Sequence, residues 1–272
     1  MPAPETLRSR ANPLYKRLRA LKDKRGATGL CLIEGPKLAL EALDAGLTLV
    51  EAAASPRAEA TPAGARAIAG LLARGVPIRR MAAELVASLS EAETSQGLVA
   101  LAKRPRFELD RVFEGTPLVL VIDGVQDPGN LGALLRSAEA AGATGALLTP
   151  GCADPFSWKA LRGSMGSAFR LPHVTGFSIE LALETLAERG VRVFATAGDG
   201  ERRYHEADLR GPAAIVVGRE GSGLAPGVKQ RAAARLRIPL AAPVESLNVA
   251  VAAALVLFEA ARQRRSAQGP LN

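Results

Sequence analysis

Hydrophobic and polar positions follow two rhythms along this chain. Between Asn12-Pro13 and Gly26, Leu14, Leu18 and Leu21 recur at helical spacing with basic residues between them, which predicts a helix with one apolar stripe. Short apolar runs then alternate with helical patterns closed by glycine. Strands are predicted over 30–33, 47–54, 76–79 and 97–102, and helices over 37–45, 65–74 and 82–88. That alternation reads as a small α/β domain over residues 8–103. Residues 104–115 are charged, proline-marked and aperiodic, and read as a linker. A second α/β domain is expected over 116–265.

This second domain opens with Pro117 to Asp123, a continuous apolar run of the kind covered on both faces. A helix follows, LGALLRSAEAAG, with Asn130 placed as its N-cap and Gly142 as its stop. Leu131, Leu134, Leu135 and Ala138 share one face of it, so Arg136 points to solvent, to ligand or to another chain. Further strands are predicted over 146–148, 171–174, 191–195, 215–218 and 236–240, and helices over 156–165 and 179–189. Residues 247–258 carry no charge and are apolar on every side. At about 12 residues this helix is too short for a bilayer, which needs ~20. It is buried within one molecule, or packed on its core on one side and on a second chain on the other. Gln263 to Asn272 reads as a frayed basic tail.

Charge changes the picture for the first domain. The net charge is +8, and residues 1–106 hold 17 Lys and Arg against 10 Asp and Glu, whereas residues 107–272 hold 18 against 17. Within 8–25, Arg8, Arg10, Lys16, Arg17, Arg19, Lys22, Lys24 and Arg25 face one acid, Asp23. Such a run suits nucleic-acid phosphates, although a solvated basic tail would look the same. The chain has no apolar run of about 18 residues and no secretory pattern, so a cytoplasmic protein is expected, with Cys31 and Cys152 as reduced thiols.

Several chemistries lack their motifs. There is no GxxxxGK[ST] phosphate loop, no HExxH and no GxSxG. Two histidines, His173 and His205, are too few for a histidine metal site, and no metal is expected. The glycines of GREGSG do not make GxGxxG, which leaves a dinucleotide fold as a weak alternative.

Three loops remain. NLGALLR supplies Asn130 and Arg136, VVGREGSGL supplies Gly218 and Glu220, and IPLAAPVESLNVAVAAAL supplies Ser246 and Asn248. In this order they resemble the three motifs of the SpoU (TrmH) family of SPOUT RNA 2′-O-methyltransferases. Residues 8–103 are similar to the small α/β RNA-binding domain that often precedes it. The resemblance implies a parallel sheet with a C-terminal trefoil knot, S-adenosylmethionine as methyl donor, and a homodimer through the C-terminal domain. It implies that Thr196, Gly218, Ile238 and Leu247 hold the donor. Arg136 would act on the target nucleotide from the opposite subunit, fixed by Glu220 and Asn130, while Ser246 and Asn248 cap the last helix and orient ligand groups. The expected partner is structured RNA, ribosomal RNA before transfer RNA. A non-catalytic RNA-binding or assembly factor is the alternative from another class.

Overall fold

The structure, a computed structural model, describes residues 6–23, 29–90, 94–219 and 223–267. The chain divides into two compact units, one from the chain up to Pro105 together with Asp154–Arg170, the other from Arg106–Ala153 and from Leu171 on.

The first unit contains α1 (Pro13–Asp23), β1 (Leu30–Glu34), α2 (Pro36–Asp44), β2 (Leu49–Ala54), α3 (Pro56–Glu59), α4 (Pro62–Ala73), β3 (Ile78–Arg80), α5 (Ala83–Leu89) and β4 (Leu98–Lys103). Its sheet runs β1-β4-β2-β3, with β4 antiparallel to β1 and β2, and β3 parallel to β2. The stripe of α1 is as expected, with Leu14 and Leu18 buried beside Met81, Leu85 and Leu101; Tyr15 joins them and shares a hydrogen bond with Ser88 Oγ at 2.9 Å.

The second unit starts with a 3₁₀ turn, Leu109–Phe113. Then come β5 (Leu118–Ile122), α6 (Pro128–Ala140), β6 (Gly145–Leu148), α7 (Trp158–Ser164) and α8 (Ser167–Arg170), these last two belonging to the first unit. They are followed by β7 (His173–Thr175), α9 (Ile179–Glu188), β8 (Arg192–Thr196), β9 (Arg202–Arg203), β10 (Ala213–Val217), α10 (Pro226–Arg231), β11 (Ala234–Arg237) and α11 (Val249–Ala267). The strands form a parallel sheet in the order β7-β6-β5-β10-β8-β11-β9. Every residue of β5 and β10 is buried, as two-sided cover requires. On one face Val119, Val121, Val193 and Val216 pack against Ala182, Leu183 and Leu186 of α9. α6 and α11 pack on each other, and α11 also meets β10.

Several features differ from the expectations of the sequence. Asp154–Arg170 sits in the first unit, because Arg104 binds both carboxylate oxygens of Asp154 at 3.0 and 2.8 Å and Trp158 Nε1 donates to Glu34. Arg170 adds an ion pair with Glu41 at 2.6 Å. The expected linker is structured: Val112 is fully buried in the core of the second unit, and its carbonyl accepts from Thr144 Oγ1 at 2.7 Å. The strand expected over 236–240 is Ala234–Arg237, since Pro239 has no N–H for a ladder. The last helix is not buried all round. Ala250, Ala253, Val256, Leu257 and Ala260 face the core, while Val251, Leu255 and Phe258 are 49%, 37% and 44% exposed.

The tail expected to fray from Gln263 on is anchored where it is described, up to residue 267; residues 268–272 lie outside the described residues. Gln263 accepts from the Leu209 N–H at 2.8 Å and donates to the Ala207 carbonyl at 2.9 Å. Arg264 donates to four carbonyls at 2.7–3.0 Å, those of Leu209, Thr116, Pro117 and Gly211. Its fork thereby ties α11 to the segments entering β5 and β10. Charge-assisted bonds contribute ~1.5–3 kcal/mol each, although freed carbonyls at this half-buried site rehydrate in part. Arg264→Met is expected to lower unfolding stability by ~2–4 kcal/mol in urea titration, with Arg264→Lys restoring only a fraction, since one ammonium cannot span diverging acceptors. A midpoint unchanged in Arg264→Met would remove this anchor.

Candidate functional site

Parallel strands place their C-terminal ends together, and loops there form a crevice. Thr196 ends β8, Gly218 follows β10 and Ile238 follows β11. All three line one cavity of ≈ 630 Å³, along with Asn130, Ser246, Leu247 and Asn248. Seven of the expected site residues, from five separate stretches of sequence, therefore meet in one place.

Local chemistry explains the meeting. Thr196 Oγ1 donates to the Val216 carbonyl at 3.0 Å, and the Ala197 N–H to the Leu236 carbonyl at 2.9 Å, so three strand ends are locked in level. The loop after β10 doubles back, with the Gly223 N–H donating to the Arg219 carbonyl at 3.0 Å. A Cβ on Gly218 would lie 2.6 Å from the Gly223 carbonyl group, so only glycine permits the turn. Glu220 lies outside the described residues.

Asn248 is the N-cap of α11: its Oδ1 accepts from the N–H groups of Ala250 and Val251 at 2.9 and 3.3 Å. Its Nδ2 donates to Asn130 Oδ1 at 2.9 Å. This pair clasps the starts of α11 and α6 over the cavity. Asn130 is not the cap of α6. Asp127 is, accepting from the Asn130 N–H at 2.8 Å, and Pro128 holds the first helical position. The Asp-Pro pair was a legible helix start. Ser246 is exposed on the cavity wall and does not cap α11.

Arg136 stands apart. It is exposed on α6, six residues and ~9 Å of helix rise beyond Asn130, and does not line the cavity. Among the described residues no group pairs with its guanidinium, so Asn130 does not fix it within this chain. Sequence reasoning missed Arg219, which lines the cavity and lies over Gly124, where the missing Cβ leaves room for its side chain.

The basic run of the first unit divides into two sets. Arg17 pairs with Glu51 at 2.7 Å. Arg19 donates to the Ser88 carbonyl at 3.1 Å, and Lys22 to those of Ser88 and Ser90 at 3.3 and 2.8 Å, where cations meet the carbonyl end of α5. Those three have structural work, whereas Arg8, Arg10 and Lys16 are exposed and have no partner among the described residues. Lys24 and Arg25 lie outside the described residues. Burial pushes the Cys31 thiol up to about 12, which leaves it unreactive at neutral pH. Among the described residues no cluster of His, Cys, Asp and Glu could hold a metal, and no helix is long and apolar enough to cross a membrane.

Residues 117–258, which hold this cavity and its strands, match the model of the SpoU rRNA Methylase family. The chain belongs to the SpoU rRNA methylase family. Residues 12–100 match a domain described as the MRM3-like substrate binding domain. Among relatives, an uncharacterized tRNA/rRNA methyltransferase of Synechocystis sp. is 34% identical, covering 97% of this chain and 96% of that protein. The 23S rRNA (guanosine(2553)-2′-O)-methyltransferase RlmP of Bacillus subtilis is 33% identical over 90% of this chain and 93% of its own. The AdoMet-bound rRNA methyltransferase of Sinorhizobium meliloti superposes with a TM-score of 0.83 at 31% identity, covering 95% of this chain and 97% of that one. This chain thus has a parallel-sheet SPOUT domain preceded by a substrate-binding domain, an arrangement it shares over nearly its full length with the Sinorhizobium meliloti structure.

Proposed function

We infer that this protein is an S-adenosylmethionine-dependent methyltransferase acting on the ribose 2′-hydroxyl of ribosomal RNA. The observation that carries the reading is the cavity at the strand ends, which gathers Asn130, Thr196, Gly218, Ile238, Ser246, Leu247 and Asn248. Its ≈ 630 Å³ falls within the ~300–1,000 Å³ usual for cofactor sites. Ile238, Leu236 and Leu247 offer apolar walls to a flat adenine, and the backbone around Gly218 offers polar atoms without side-chain bulk. When bound, the donor supplies an activated methyl group. Glu245, which also lines the cavity, suits its cationic sulfonium or its amino group.

The chain's own residues then hold and orient. The Asn130–Asn248 clasp sets the cavity wall against the start of α6. Arg136 offers a fork of N–H donors and no acceptor, so its role is to grip a phosphate or orient the hydroxyl rather than to take the proton. That proton passes to solvent. Because Arg136 is outside its own cavity, we place it in the cavity of a second copy. The face of Val251, Leu255 and Phe258, which with Ala133, Ser137 and Tyr204 lines a second hollow of ≈ 630 Å³, is the seat of that copy. We further read the described part of the chain between β10 and α11 as belonging to a C-terminal trefoil knot. The chain leaves β10 for β11, beyond β8, and returns so that α11 packs on β10.

The test uses methyl-labelled donor and unmodified ribosomal RNA. Alkali spares the linkage after a 2′-O-methylated ribose, so label is expected in alkali-resistant dinucleotides, from a particle with the mass of two copies. Label on bases, or none, overturns the activity, and label confined to transfer RNA changes the substrate.

A further inference from the structure

The outer edge of the parallel sheet carries charge that the fold does not use. β9 pairs with β11 in parallel, Arg202 beside Leu236 and Arg203 beside Arg237. The second pairing sets two guanidinium-bearing residues directly opposite each other, a like-charge arrangement that destabilises a ladder. Neighbouring cations are neutralised. Arg235 donates to Glu201 at 2.7 Å and Lys229 pairs with Asp199 at 3.2 Å. Glu201 is held at about 2, first by the Arg235 N–H, and so stays ionised and committed.

Arg203, Arg237 and Arg202 are less closely paired. Glu206 accepts from the Arg203 N–H at 3.2 Å but reaches its guanidinium only at 4.0 Å, with both side chains about half exposed, and Arg237 makes one long contact, 3.4 Å, to the Gly200 carbonyl. Arg202 is exposed and has no partner among the described residues. Arg237 also directly precedes Ile238, which lines the cavity. Arg203 and Arg237, paired in register, therefore share one face at the cavity end of the sheet edge, and Arg202, the preceding residue of β9, carries the charge round to the other face of that open edge.

We propose that Arg203 and Arg237 together bind one phosphate of the substrate RNA next to the methylated nucleotide and that Arg202, round the open edge, binds a neighbouring one, as a second electrostatic contact on the catalytic unit. This rests on the RNA methyltransferase reading. An anion between Arg203 and Arg237 would relieve their repulsion, and guanidinium forks match phosphate oxygens two by two. A purely protective role, in which charge blunts an exposed sheet edge, is served equally by acids. Phosphate binding is not.

The experiment compares the full-length protein with Arg202→Gln/Arg203→Gln/Arg237→Gln, measuring RNA affinity against salt concentration, donor affinity and thermal midpoint. The plot of log affinity against log salt is expected to flatten by about 2, since each phosphate contact contributes ~0.7–0.9 to the slope. Donor affinity stays within about twofold, as none of the three lines the cavity. Arg202→Glu/Arg203→Glu, which keeps a charged edge, is expected to weaken RNA binding further than the neutral exchange. Should the triple variant fold poorly, Arg202→Gln alone, on the exposed edge, is expected to flatten the slope by about 0.7. An unchanged slope in a folded variant, while the wild type binds and methylates RNA, overturns the phosphate contacts and leaves the activity standing. A wild type that neither binds RNA nor transfers methyl overturns both.

Discussion

Arg136→Ala is expected to lower kcat by about 10²–10³-fold, the usual effect of deleting one preorganised charged group, with donor affinity essentially unchanged. Donor binding is spared because Arg136 does not line the cavity of its own chain and, at the partner's cavity, acts on the nucleotide rather than on the donor. The same separation makes a stronger experiment possible. Arg136→Ala keeps an intact cavity, and a cavity-damaged variant keeps an intact arginine. Mixed after dissociation and reassociation, equal amounts recover about a quarter of wild-type activity if each active site borrows its arginine from the other subunit, because half the dimers are mixed and each holds one whole site. If cavity and arginine act within one chain, mixing recovers nothing. Arg136→Lys separates roles further. A positioning cation retains part of the activity with the pH profile unmoved, whereas a lysine acting as base would make activity climb towards its pKa near ~10.4.

Gly218→Ala is the natural cavity-damaged partner. Its new Cβ would meet the Gly223 carbonyl carbon and oxygen at 2.6 Å and the Leu224 nitrogen at 2.9 Å, all backbone atoms of the loop that doubles back. Backbone cannot swing aside as a side chain can, so the loop must open and the donor's seat moves with it. Overpacking of this kind costs ~1–3 kcal/mol. Donor affinity is expected to fall at least tenfold by calorimetry, which corresponds to ~1.4 kcal/mol. The thermal midpoint falls by ~2–4 °C per kcal/mol lost. Gly227→Ala is the control, because its Cβ would find nothing within 4 Å in α10, and it should leave both readings unchanged or raise the midpoint. Equal donor binding by Gly218→Ala and wild type would remove the loop from the site.

Much of the architecture was legible because it is written in short-range pattern. β5 and β10 were continuous apolar runs, and every residue of both is buried. α1 showed its stripe through Leu14 and Leu18. The site was legible as a set of residue types at fixed spacing, and seven of those residues line one cavity. Other features were not. Asn130 looked like a cap because it precedes an apolar run, but Asp127 had the better claim, and Asn130 is committed to Asn248, 118 residues away. The end of α11 around Gln263 and Arg264 looked frayed because polar residues close to a terminus are often solvated. Its anchors, the carbonyls of Thr116, Pro117, Leu209 and Gly211, belong to distant loops with no side-chain signature.

The order of strands and helices, the segregation of basic charge towards the N-terminus and the three motif loops are properties of the sequence itself, since periodicity and composition act over a few neighbouring residues. Tertiary structure alone decided that Asp154–Arg170 joins the first unit, that Arg17, Arg19 and Lys22 are spent on Glu51 and the end of α5, and that Arg203 comes to rest opposite Arg237. Each of these is a pairing between residues far apart in the chain. Such pairings depend on which strand lies beside which, and no local pattern encodes that adjacency.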